Sequence, residues 1–311
     1  MLDLKLIREE PAFVRERLAV RGKPELSAQI DELLALDAER RAAIAQVNDM
    51  RARRNEVSPQ VGRLKQEGRH EEAEPLIREM RELNDHMARL EVERARLETT
   101  VDQMLLLIPN LPEPTVPPGD ETAGVVMREW GEERPFDFQP RPHWELAESL
   151  GLLDLPRGSK VAGSGFPLYV GLGARLERAL INMLLDMHVR EHGYVELSPP
   201  FVVNSSAATG TGHLPKFGDD MYYVTADDLY LIPTAEVPVT NLFAGELLAP
   251  DALPKRYVAY TPCFRREAGA HGKDTRGLLR VHQFDKVELV RFERPEEGHR
   301  ALEELTMQAE A

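Results

Sequence analysis

Cysteine is almost absent from this chain of 311 residues. Its one cysteine, Cys263, excludes a disulfide within the chain and a zinc site built from several cysteines. Cys263 falls inside a predicted strand, and we expect it to be a plain buried thiol. No metal-ligating residue is predicted.

Long apolar runs are absent too. The chain starts MLDLKLIREEP, which is charged within its first ten residues and lacks the apolar core of a signal peptide. No stretch of about eighteen apolar residues, the length that would span a membrane, follows. The sequence therefore predicts a cytoplasmic protein without membrane association.

An excess of basic charge is the third absence. Lysine and arginine number 39 against 53 aspartates and glutamates, so the net charge is −14. This balance argues against attraction of nucleic acid to the whole surface. Any contact with RNA must come from a local basic patch. The content of 42% apolar and 30% charged residues fits a globular protein with an extended charged part.

Two long segments show a helical repeat of the kind found in coiled coils. Residues spaced alternately three and four apart form two seams, at 33, 36, 40, 43, 47, 50, 54, 57, 61 and 64, and at 76, 80, 83, 87, 90, 94, 97, 101, 104 and 108. Only three of these twenty positions are charged, namely Arg40, Arg54 and Arg94. The pattern predicts an antiparallel two-helix coiled coil over about 27–108, with a turn near Gly68. We expect Pro59 to kink or locally break the first helix.

A short helical cap is predicted before the coiled coil, within residues 1–26. Its apolar positions are Leu4, Ile7, Phe13, Val14 and Leu18.

Basic residues concentrate on the first long helix. Between Arg40 and Lys65 there are seven basic residues against Asp49 and Glu56, a net charge of +5. Such a patch suits phosphate groups, but the faces of coiled coils are commonly charged and solvated. Both interpretations stay open at this point, as does a helical arm that serves only for dimerisation or bracing.

A proline-rich segment separates this arm from the rest. Five of the ten residues from Pro109 to Pro118 are proline, which favours a stiff extended spacer. We therefore predict a helical arm over 1–111, a linker over 112–140 and a second domain over 141–311. That domain mixes helices and strands, which gives an α+β fold class.

Two stretches of the second domain carry pairs of polar residues. Thr234 and Glu236 lie two apart, and in an extended chain they would face the same way. A hydroxyl next to a carboxylate suits a small ligand that has an ammonium and a hydroxyl group. A surface pair of no function is the alternative.

The other stretch is predicted to be a strand over Tyr257–Glu267, a polar loop, and a strand over Leu279–Phe292. Alternation places Arg265 and Glu267 on one face, and Phe284, Lys286 and Glu288 on one face of the return strand. The loop adds Lys273, Arg276 and Arg280. Arginine suits a phosphate, an aromatic ring suits a base and a carboxylate suits an amine, so the surface is typical of a nucleotide site. An ordinary amphipathic hairpin is the alternative.

Several of these strings together resemble one family. The runs TPCFRREAG and GLLRVHQFDKVELV are similar to motif two of class II aminoacyl-tRNA synthetases, in the version found in seryl-tRNA synthetases. The run PTAEVPVTN resembles the serine-binding segment of that family. The long helix, Gly193, strand and Pro200 resemble motif one. The bacterial members carry a helical arm ahead of the catalytic domain, as predicted here.

The resemblance implies an activity and a set of site residues. The activity is the joining of L-serine to ATP as seryl-adenylate, followed by transfer to tRNA(Ser) and, in some members, tRNA(Sec). Arg265 is implied as the catalytic residue that bridges the α-phosphate and the serine carboxylate. The implied serine-binding residues are Thr234, Ala235, Glu236 and Glu288. The implied ATP-binding residues are Arg265, Arg266, Glu267, Arg280, Val281 and Phe284.

Within this set, Glu267 is expected to hold the adenine amino group, Phe284 to stack on the base and Val281 to contribute its backbone. The Arg266 side chain is expected to point away. Mg²⁺ is expected with ATP. Arg51, Arg53 and Arg54 are the implied tRNA contacts, and the element ending at Pro200 is the implied homodimer interface.

One part of the family pattern is missing. A third motif, with a glycine-rich strand and an arginine-bearing helix, is not found before Ala311. The sequence is therefore expected to lack the C-terminal part of the catalytic domain and to have little activity. Two alternatives remain: an RNA-binding paralogue without chemistry, and a ligase that loads an amino acid onto a carrier protein.

Overall fold

The computed structural model describes residues 2–269 and 276–311. Lys273, one of the predicted basic loop residues, lies outside the described residues. The chain forms two compact units, Met1–Gly131 and Glu132–Ala311, and each is described by itself. The predicted limits of arm, linker and second domain stay predictions.

The first unit is a helical hairpin with a small cap. Its helices are α1 (Leu4–Glu9), α2 (Pro11–Ala19), α3 (Glu25–Gln66) and α4 (His70–Leu107). Gly68 turns the chain between the two long helices with a φ of 72°, a conformation that suits glycine. The structure confirms the predicted pair of long helices. Helix α3 continues through Pro59, so the chain does not break there, and the kink that was the other expectation stays a prediction.

The repeat in the sequence defines the interior of this hairpin. All twenty predicted seam positions are buried or half-buried. Near the base of the arm, the cap helices close one apolar cluster with both long helices. Its fully buried side chains include Ile7, Val14, Leu18, Ile30 and Leu33, with Val101 and Leu105 nearby. Of the predicted apolar cap positions, Phe13 is 44% exposed and does not join the cluster.

A buried aspartate lies beside this cluster. The Asp37 side chain is 1% exposed, and three arginines surround it. Its Oδ1 accepts hydrogen bonds from Arg40 at 3.2 and 2.6 Å. Its Oδ2 accepts from Arg41 at 3.0 Å and from Arg8 at 3.5 Å. Burial opposes ionisation, but the arginines win, so the pKa of the Asp37 carboxyl is lowered below its usual value. Asp37 therefore fastens the cap to α3.

The second unit combines six helices with six short strands among its described residues. The helices are α5 (His143–Ser149), α6 (Leu155–Ala162), α7 (Leu172–Arg190), α8 (Ser205–Gly210), α9 (Glu236–Thr240) and α10 (Gly298–Glu310). The strands are β1 (Val195–Leu197), β2 (Val202–Asn204), β3 (Tyr223–Val224), β4 (Leu229–Leu231), β5 (Lys255–Phe264) and β6 (Gln283–Phe292). The predicted α+β fold is confirmed.

The strands form two sheets of three. In the larger sheet, β1 pairs parallel with β5, and β5 pairs antiparallel with β6. In the smaller sheet, β4 lies between β2 and β3, with both pairs antiparallel. The predicted interruption by Pro199 and Pro200 divides β1 from β2, which belong to different sheets.

Helix α7 covers one face of the larger sheet. Its Ile181 and Leu185 pack with Val258 of β5 and with Val287 and Leu289 of β6. Because side chains alternate along a strand, Phe284, Lys286 and Glu288 lie on the other face. On that face Val290 packs with Val239 of α9, so the candidate binding residues lie on β6 beside this helix.

Candidate active site

The site is built on the antiparallel pair β5–β6. Their register places Cys263 opposite Phe284, Thr261 opposite Lys286 and Ala259 opposite Glu288. Thr261, Ala259 and Cys263 are at most 1% exposed, so they form a closed floor. Burial raises the pKa of the Cys263 thiol. The predicted role of Cys263 as a plain buried thiol is therefore confirmed.

The strand that carries the predicted arginine motif ends earlier than expected. β5 stops at Phe264, so Arg265, Arg266 and Glu267 are not part of the strand. The Arg265 amide donates to the carbonyl of His282 at 2.9 Å, and the Arg266 amide donates to the carbonyl of Asp220 at 2.8 Å. Glu267 has a φ of 49°, which takes the chain out of the extended conformation. The return strand likewise begins at Gln283 and not at Leu279.

Despite this early end, Arg265 and Glu267 come together at one cavity. The cavity has a volume of about 390 Å³, and Arg280 also lines it. Arg266 is exposed and is not among its lining residues. Arg280 pairs with Glu267 at 3.2 Å. Three of the predicted ATP-binding residues therefore share one cavity.

The Arg265 guanidinium occupies the middle of this arrangement. It lies over the Phe284 ring, 4.9 Å from the ring centroid, and its Nε donates to the Pro233 carbonyl at 3.4 Å. A cation over an aromatic face is held by the electrons of the ring. Arg265 is thus fixed between the Phe284 ring and the segment that begins at Pro233.

Two predicted ATP-binding residues line other cavities. Val281, which is 8% exposed, lines a cavity of about 360 Å³ together with Trp144 and Arg276. Phe284 lines an apolar cavity of about 460 Å³ while its ring faces Arg265. The six predicted residues therefore do not line a single cavity.

The predicted serine-binding residues form a network next to Arg265. Thr234 is 4% exposed, and its hydroxyl donates to Oε2 of Glu288 at 2.6 Å. The same hydroxyl accepts from the Lys286 ammonium at 2.7 Å and from the amide of Glu236 at 3.1 Å. Lys286 also pairs with Glu288 directly. Three side chains and one backbone amide from two distant parts of the sequence therefore meet here.

The local conformation of this segment differs from the predicted one. Glu236 does not follow Thr234 in an extended chain but begins helix α9, with Ala235 as the buried cap residue. Thr234 and Glu236 therefore do not share a face in the way that we predicted. The Glu236 carboxylate is exposed and forms no ion pair with any described residue.

No role was predicted for three residues of the site. His213 and Asp220 line the cavity of Arg265, although they precede it by more than forty residues. Asp220 accepts the Ala268 amide at 3.0 Å, which holds the segment after β5. No local pattern around either residue indicates this. Lys286, by contrast, shares its strand face with Glu288, and that signal was available in the sequence.

The surroundings of His213 favour the neutral form of its imidazole. Burial lowers the pKa of its imidazole, the charge of Glu236 opposes this shift, and the charges of Arg265 and Lys286 add to it. Its Nδ1 lies 3.0 Å from the Thr211 hydroxyl. A neutral imidazole presents an uncharged polar group to the cavity.

Neither a metal-type cluster of side chains nor a membrane-type helix occurs in the described part of the chain. No group of three or more histidine, cysteine, aspartate or glutamate side chains converges as metal ligands would within residues 2–269 and 276–311. Over the same residues, no helix combines the length and apolar character that crossing a membrane requires.

The predicted RNA-contacting arginines of the first unit are held differently. Arg51 pairs with Glu91 at 2.5 Å, which joins α3 to α4. Arg53 pairs with Glu79 of α4 at 2.8 Å and with Glu56 at 3.1 Å. Arg54 is half-buried at a seam position. Arg51 and Arg53 therefore brace the hairpin while remaining 47% and 45% exposed.

Comparison with known proteins assigns both units. Residues 1–112 match the model of the seryl-tRNA synthetase N-terminal domain. Residues 222–311 match the class II tRNA synthetase core domain shared by the glycine, histidine, proline, serine and threonine enzymes.

Similar proteins cover the whole chain. It is 51% identical over 311 residues to a serine–tRNA ligase of Carboxydothermus hydrogenoformans and 52% identical to one of Geobacillus kaustophilus. Each match covers 100% of this chain and 72% of the relative.

Solved structures agree with these relatives. The seryl-tRNA synthetase of Pyrococcus horikoshii, solved with ATP, superimposes with a TM-score of 0.90 at 37% identity, over 100% of this chain and 73% of that one. The cytoplasmic enzyme of Naegleria fowleri, solved with AMP, gives a TM-score of 0.83 at 26% identity, over 100% of this chain and 75% of that one. This chain belongs to the seryl-tRNA synthetase family of class II aminoacyl-tRNA ligases.

Proposed function

We propose that this chain activates L-serine with ATP to form seryl-adenylate and transfers the seryl group to tRNA(Ser). The observation that carries the proposal is the meeting of Arg265 and Glu267 at one cavity, next to the network of Thr234 and Glu288. A phosphate-binding cation therefore lies beside residues that suit an amino acid with a hydroxyl group. The transfer to tRNA(Sec) that the sequence resemblance admits belongs to the same proposal.

The first step requires alignment and charge neutralisation rather than a protein nucleophile. A serine carboxylate oxygen attacks the α-phosphorus of ATP, a new phosphorus–oxygen bond forms, and pyrophosphate leaves with the electrons of the broken bond. Arg265, held over Phe284, is proposed to bind the α-phosphate and the serine carboxylate, where negative charge gathers in the transition state. Glu267 is proposed to accept a hydrogen bond from the adenine amino group.

The remaining ATP contacts follow from the same placement. Arg280, which pairs with Glu267 at the cavity, is proposed to turn to the phosphates when ATP binds. Phe284 is proposed to stack on the base and Val281 to offer its backbone. Arg266 is proposed to support the segment through the hydrogen bond from its backbone amide to the Asp220 carbonyl, with its side chain in solvent.

Mg²⁺ belongs to this proposal as part of the ATP complex. In ATP sites this ion is commonly held by one or two carboxylates together with substrate phosphates. The Asp220 carboxylate lines the cavity and fits that chemistry. Mg²⁺ would supply positive charge to the phosphates, while the alignment of serine stays with the protein residues.

Serine selection is proposed to depend on Glu236 and Glu288. The exposed Glu236 carboxylate suits the substrate ammonium, and Glu288 suits the hydroxyl group. Ala235 fixes the start of α9 between them. A site built to bind a hydroxyl rejects the analogue without it strongly, because its own polar groups are then left unpaired. Alanine should therefore be a poor substrate.

The first unit is proposed to bind the tRNA. Arg51, Arg53 and Arg54 offer positive charge on a chain that is negative overall. Because Arg51 and Arg53 are exposed and only paired with glutamates, a phosphate can replace those partners at little cost.

A homodimer through α7 and the segment ending at Pro200 is also proposed. Helix α7 carries a stripe of exposed apolar side chains, Leu172, Leu176, Leu180 and Met183, which are 46–65% exposed. An apolar stripe of this kind suits a partner surface. A cytoplasmic location completes the proposal.

The test is amino-acid-dependent exchange of pyrophosphate into ATP, measured with each of the twenty amino acids. Because the third motif of the family is not found, we expect a low rate of exchange, and with serine alone. Arg265→Ala should reduce the serine-dependent rate by about 100-fold or more, as for other charge-stabilising groups. The matched control is Arg157→Ala, since Arg157 is an exposed arginine of the same unit that pairs with Asp154. Exchange with another amino acid, or equal rates for the two variants, would contradict the proposal.

A further inference from the structure

The Thr234 hydroxyl has no hydrogen-bonding capacity left for a substrate. A hydroxyl has one proton to donate and two lone pairs that accept. Its proton goes to Glu288 at 2.6 Å. Its lone pairs accept from Lys286 at 2.7 Å and from the Glu236 amide at 3.1 Å. With these three bonds made, Thr234 holds Glu288, Lys286 and the Glu236 amide in place. It has no free donor or acceptor for the ligand.

Glu288 is the member of the network that retains a free oxygen. Both of its contacts, with Thr234 and with Lys286, use Oε2. No hydrogen bond to its Oε1 is present in residues 2–269 and 276–311. The Glu288 side chain is 22% exposed, so this oxygen is within reach of a small ligand. The carboxylate is therefore held at one oxygen and available at the other.

Lys286 is the group that completes this arrangement. It lies two residues before Glu288 on the same face of β6, opposite the fully buried Thr261. Its ammonium binds both members of the Thr234–Glu288 hydrogen bond. An exposed surface pair would leave its members mobile and would contribute little. Here the shared partner, Thr234, is 4% exposed, so the three groups are fixed relative to the sheet.

We propose that Lys286 is a positioning residue for serine recognition, which holds Thr234 and Oε2 of Glu288 so that Oε1 of Glu288 faces the substrate hydroxyl. This inference rests on the proposed function, because it assigns the serine subsite of that reaction. Lys286 acts through Glu288 and makes no contact with the reacting atoms. It also offsets the charge of one of the two site carboxylates, which leaves Glu236 for the substrate ammonium.

The test compares Lys286→Met and Lys286→Arg in the pyrophosphate exchange assay. Lys286→Met keeps the unbranched chain as far as the ε position and removes the ammonium, with its charge and its donors. We expect the KM for serine to rise about 10-fold or more, while the KM for ATP changes by less than about 2-fold. The preference for serine over alanine should fall by a similar factor. Lys286→Arg, which retains a cation and donors, should recover part of the serine affinity.

Lys255→Met is the matched control. Lys255 is a half-buried lysine of the same strand pair and lies over the Phe243 ring. It is six residues along β5 from Thr261, the partner of Lys286, which amounts to about 20 Å. Its replacement should leave both KM values unchanged.

A double-mutant comparison tests the network itself. If Lys286 and Thr234 act on the same carboxylate, the variant with both Lys286→Met and Thr234→Val should be little worse than the weaker-binding single variant. Fully multiplicative losses would overturn the shared role. So would a lower kcat with an unchanged KM for serine in Lys286→Met, or an Arg variant that is no better than the Met variant.

The outcomes separate the two proposals. A wild-type chain whose exchange does not depend on serine would overturn the proposed function, and this inference with it. A wild-type chain that depends on serine, together with a Lys286→Met variant of unchanged KM for serine, would overturn this inference alone. Thermal unfolding of each variant identifies loss of fold, and the Lys286→Arg variant then decides the question.

Discussion

Two ionic networks of this molecule use similar groups in different ways. In the first unit, both oxygens of Asp37 accept hydrogen bonds from arginines, and the side chain is 1% exposed. In the second unit, one oxygen of Glu288 is held by Thr234 and Lys286, and the side chain is 22% exposed. The first network is complete within the protein, whereas the second leaves one acceptor open. The difference agrees with a stabilising role for Asp37 and with the recognition role proposed for Glu288.

The free-energy cost of leaving a charge unpaired differs between these two carboxylates. A buried carboxylate is tolerated only when it is paired and hydrogen-bonded, and removing one partner is costly. A carboxylate that is partly exposed can keep one oxygen unpaired within the protein, because water solvates that oxygen until a ligand binds. The Asp37 network therefore stabilises the first unit, and the similar Glu288 network of the second unit keeps an oxygen available for a ligand.

The largest expected effect is the loss of stability on changing Asp37→Asn. The neutral amide would leave three arginines near one another without their common counter-charge. Because the arginines are partly exposed, we expect a loss of about 2–3 kcal/mol, at or below the low end of the range for fully buried pairs. Urea unfolding of the chain, followed by the helical signal, measures it.

The control for this change is Asp31→Asn. Asp31 is 63% exposed and pairs with Arg15, also in the first unit, so its loss should have an effect of less than about 1 kcal/mol. The pH dependence gives a second check. Since the folded pKa of Asp37 lies below its usual 3.8, its contribution is present above that value and is lost as the pH falls through the folded pKa. Equal losses for the two variants would show that the buried network is no more than a surface pair.

The next effect is the loss of serine affinity on changing Glu288→Gln. The amide keeps the shape of the side chain but weakens its bond to Lys286 and to the substrate. We expect the KM for serine to rise about 30- to 100-fold, or about 2–2.7 kcal/mol, with a change in the free energy of unfolding below about 1 kcal/mol. Pyrophosphate exchange and urea unfolding of one preparation measure both. A loss of stability as large as that of Asp37→Asn would remove the distinction between the networks.

The first unit could be predicted well because its structure depends on local periodicity. The apolar spacing of three and four positions residues on one side of a helix whatever surrounds them, and all twenty seam positions are buried or half-buried. Of the kink or break predicted at Pro59, the break does not occur, because the remaining bonds of a 42-residue helix, packed along its seam, hold the chain on both sides. Phe13, one of the apolar positions of the cap, is 44% exposed, because an apolar residue alone does not define a buried face.

The second unit could be predicted in its motifs but less well in its geometry. The strand expected to reach Glu267 ends at Phe264. The Arg265 amide still bonds to His282 in the register of the ladder, but the Arg266 amide bonds to Asp220, outside the sheet. Glu236 begins a helix, since Thr234 holds its amide. His213 and Asp220 reach the cavity from a separate loop, and tertiary contacts of this kind leave no periodic signal. The roles assigned to the site residues stay predictions.

A smaller effect concerns the acid pair on the other face of β6. Burial raises the pKa of the Glu177 carboxyl to about 7, and the hydrogen bond and charge of Asp285 add to the shift. The Tyr260 hydroxyl donates to Asp285 at 2.8 Å, and Tyr169 lies close by. Because the folded state holds this proton more tightly than the unfolded state, stability should fall as the pH rises from about 4.5 through 7.

Changing Glu177→Gln should remove that part of the pH dependence. We expect the variant to be more stable than the wild type above pH 7, by a few degrees in Tm, and similar to it near pH 5. Asp186→Asn is the matched control, because Asp186 is an exposed carboxylate of the same helix, paired with Arg190. Thermal unfolding across pH 5 to 8 measures the difference. A constant difference at all values would mean that the Glu177 proton is not linked to folding.

The smallest effect is expected for Arg51→Ala in the first unit. The pair with Glu91 joins the two long helices but is 47% exposed at the arginine, so its loss should hardly change Tm. If Arg51 exchanges Glu91 for a tRNA phosphate, the slope of log affinity against log salt should become shallower by about 0.9. Filter binding of tRNA(Ser) at several salt concentrations measures that slope. Arg96→Ala is the control, since Arg96 is an exposed α4 arginine paired with Glu93 on its own helix. Equal slopes for the two variants would mean that Arg51 does not bind a tRNA phosphate and only joins the two long helices through Glu91.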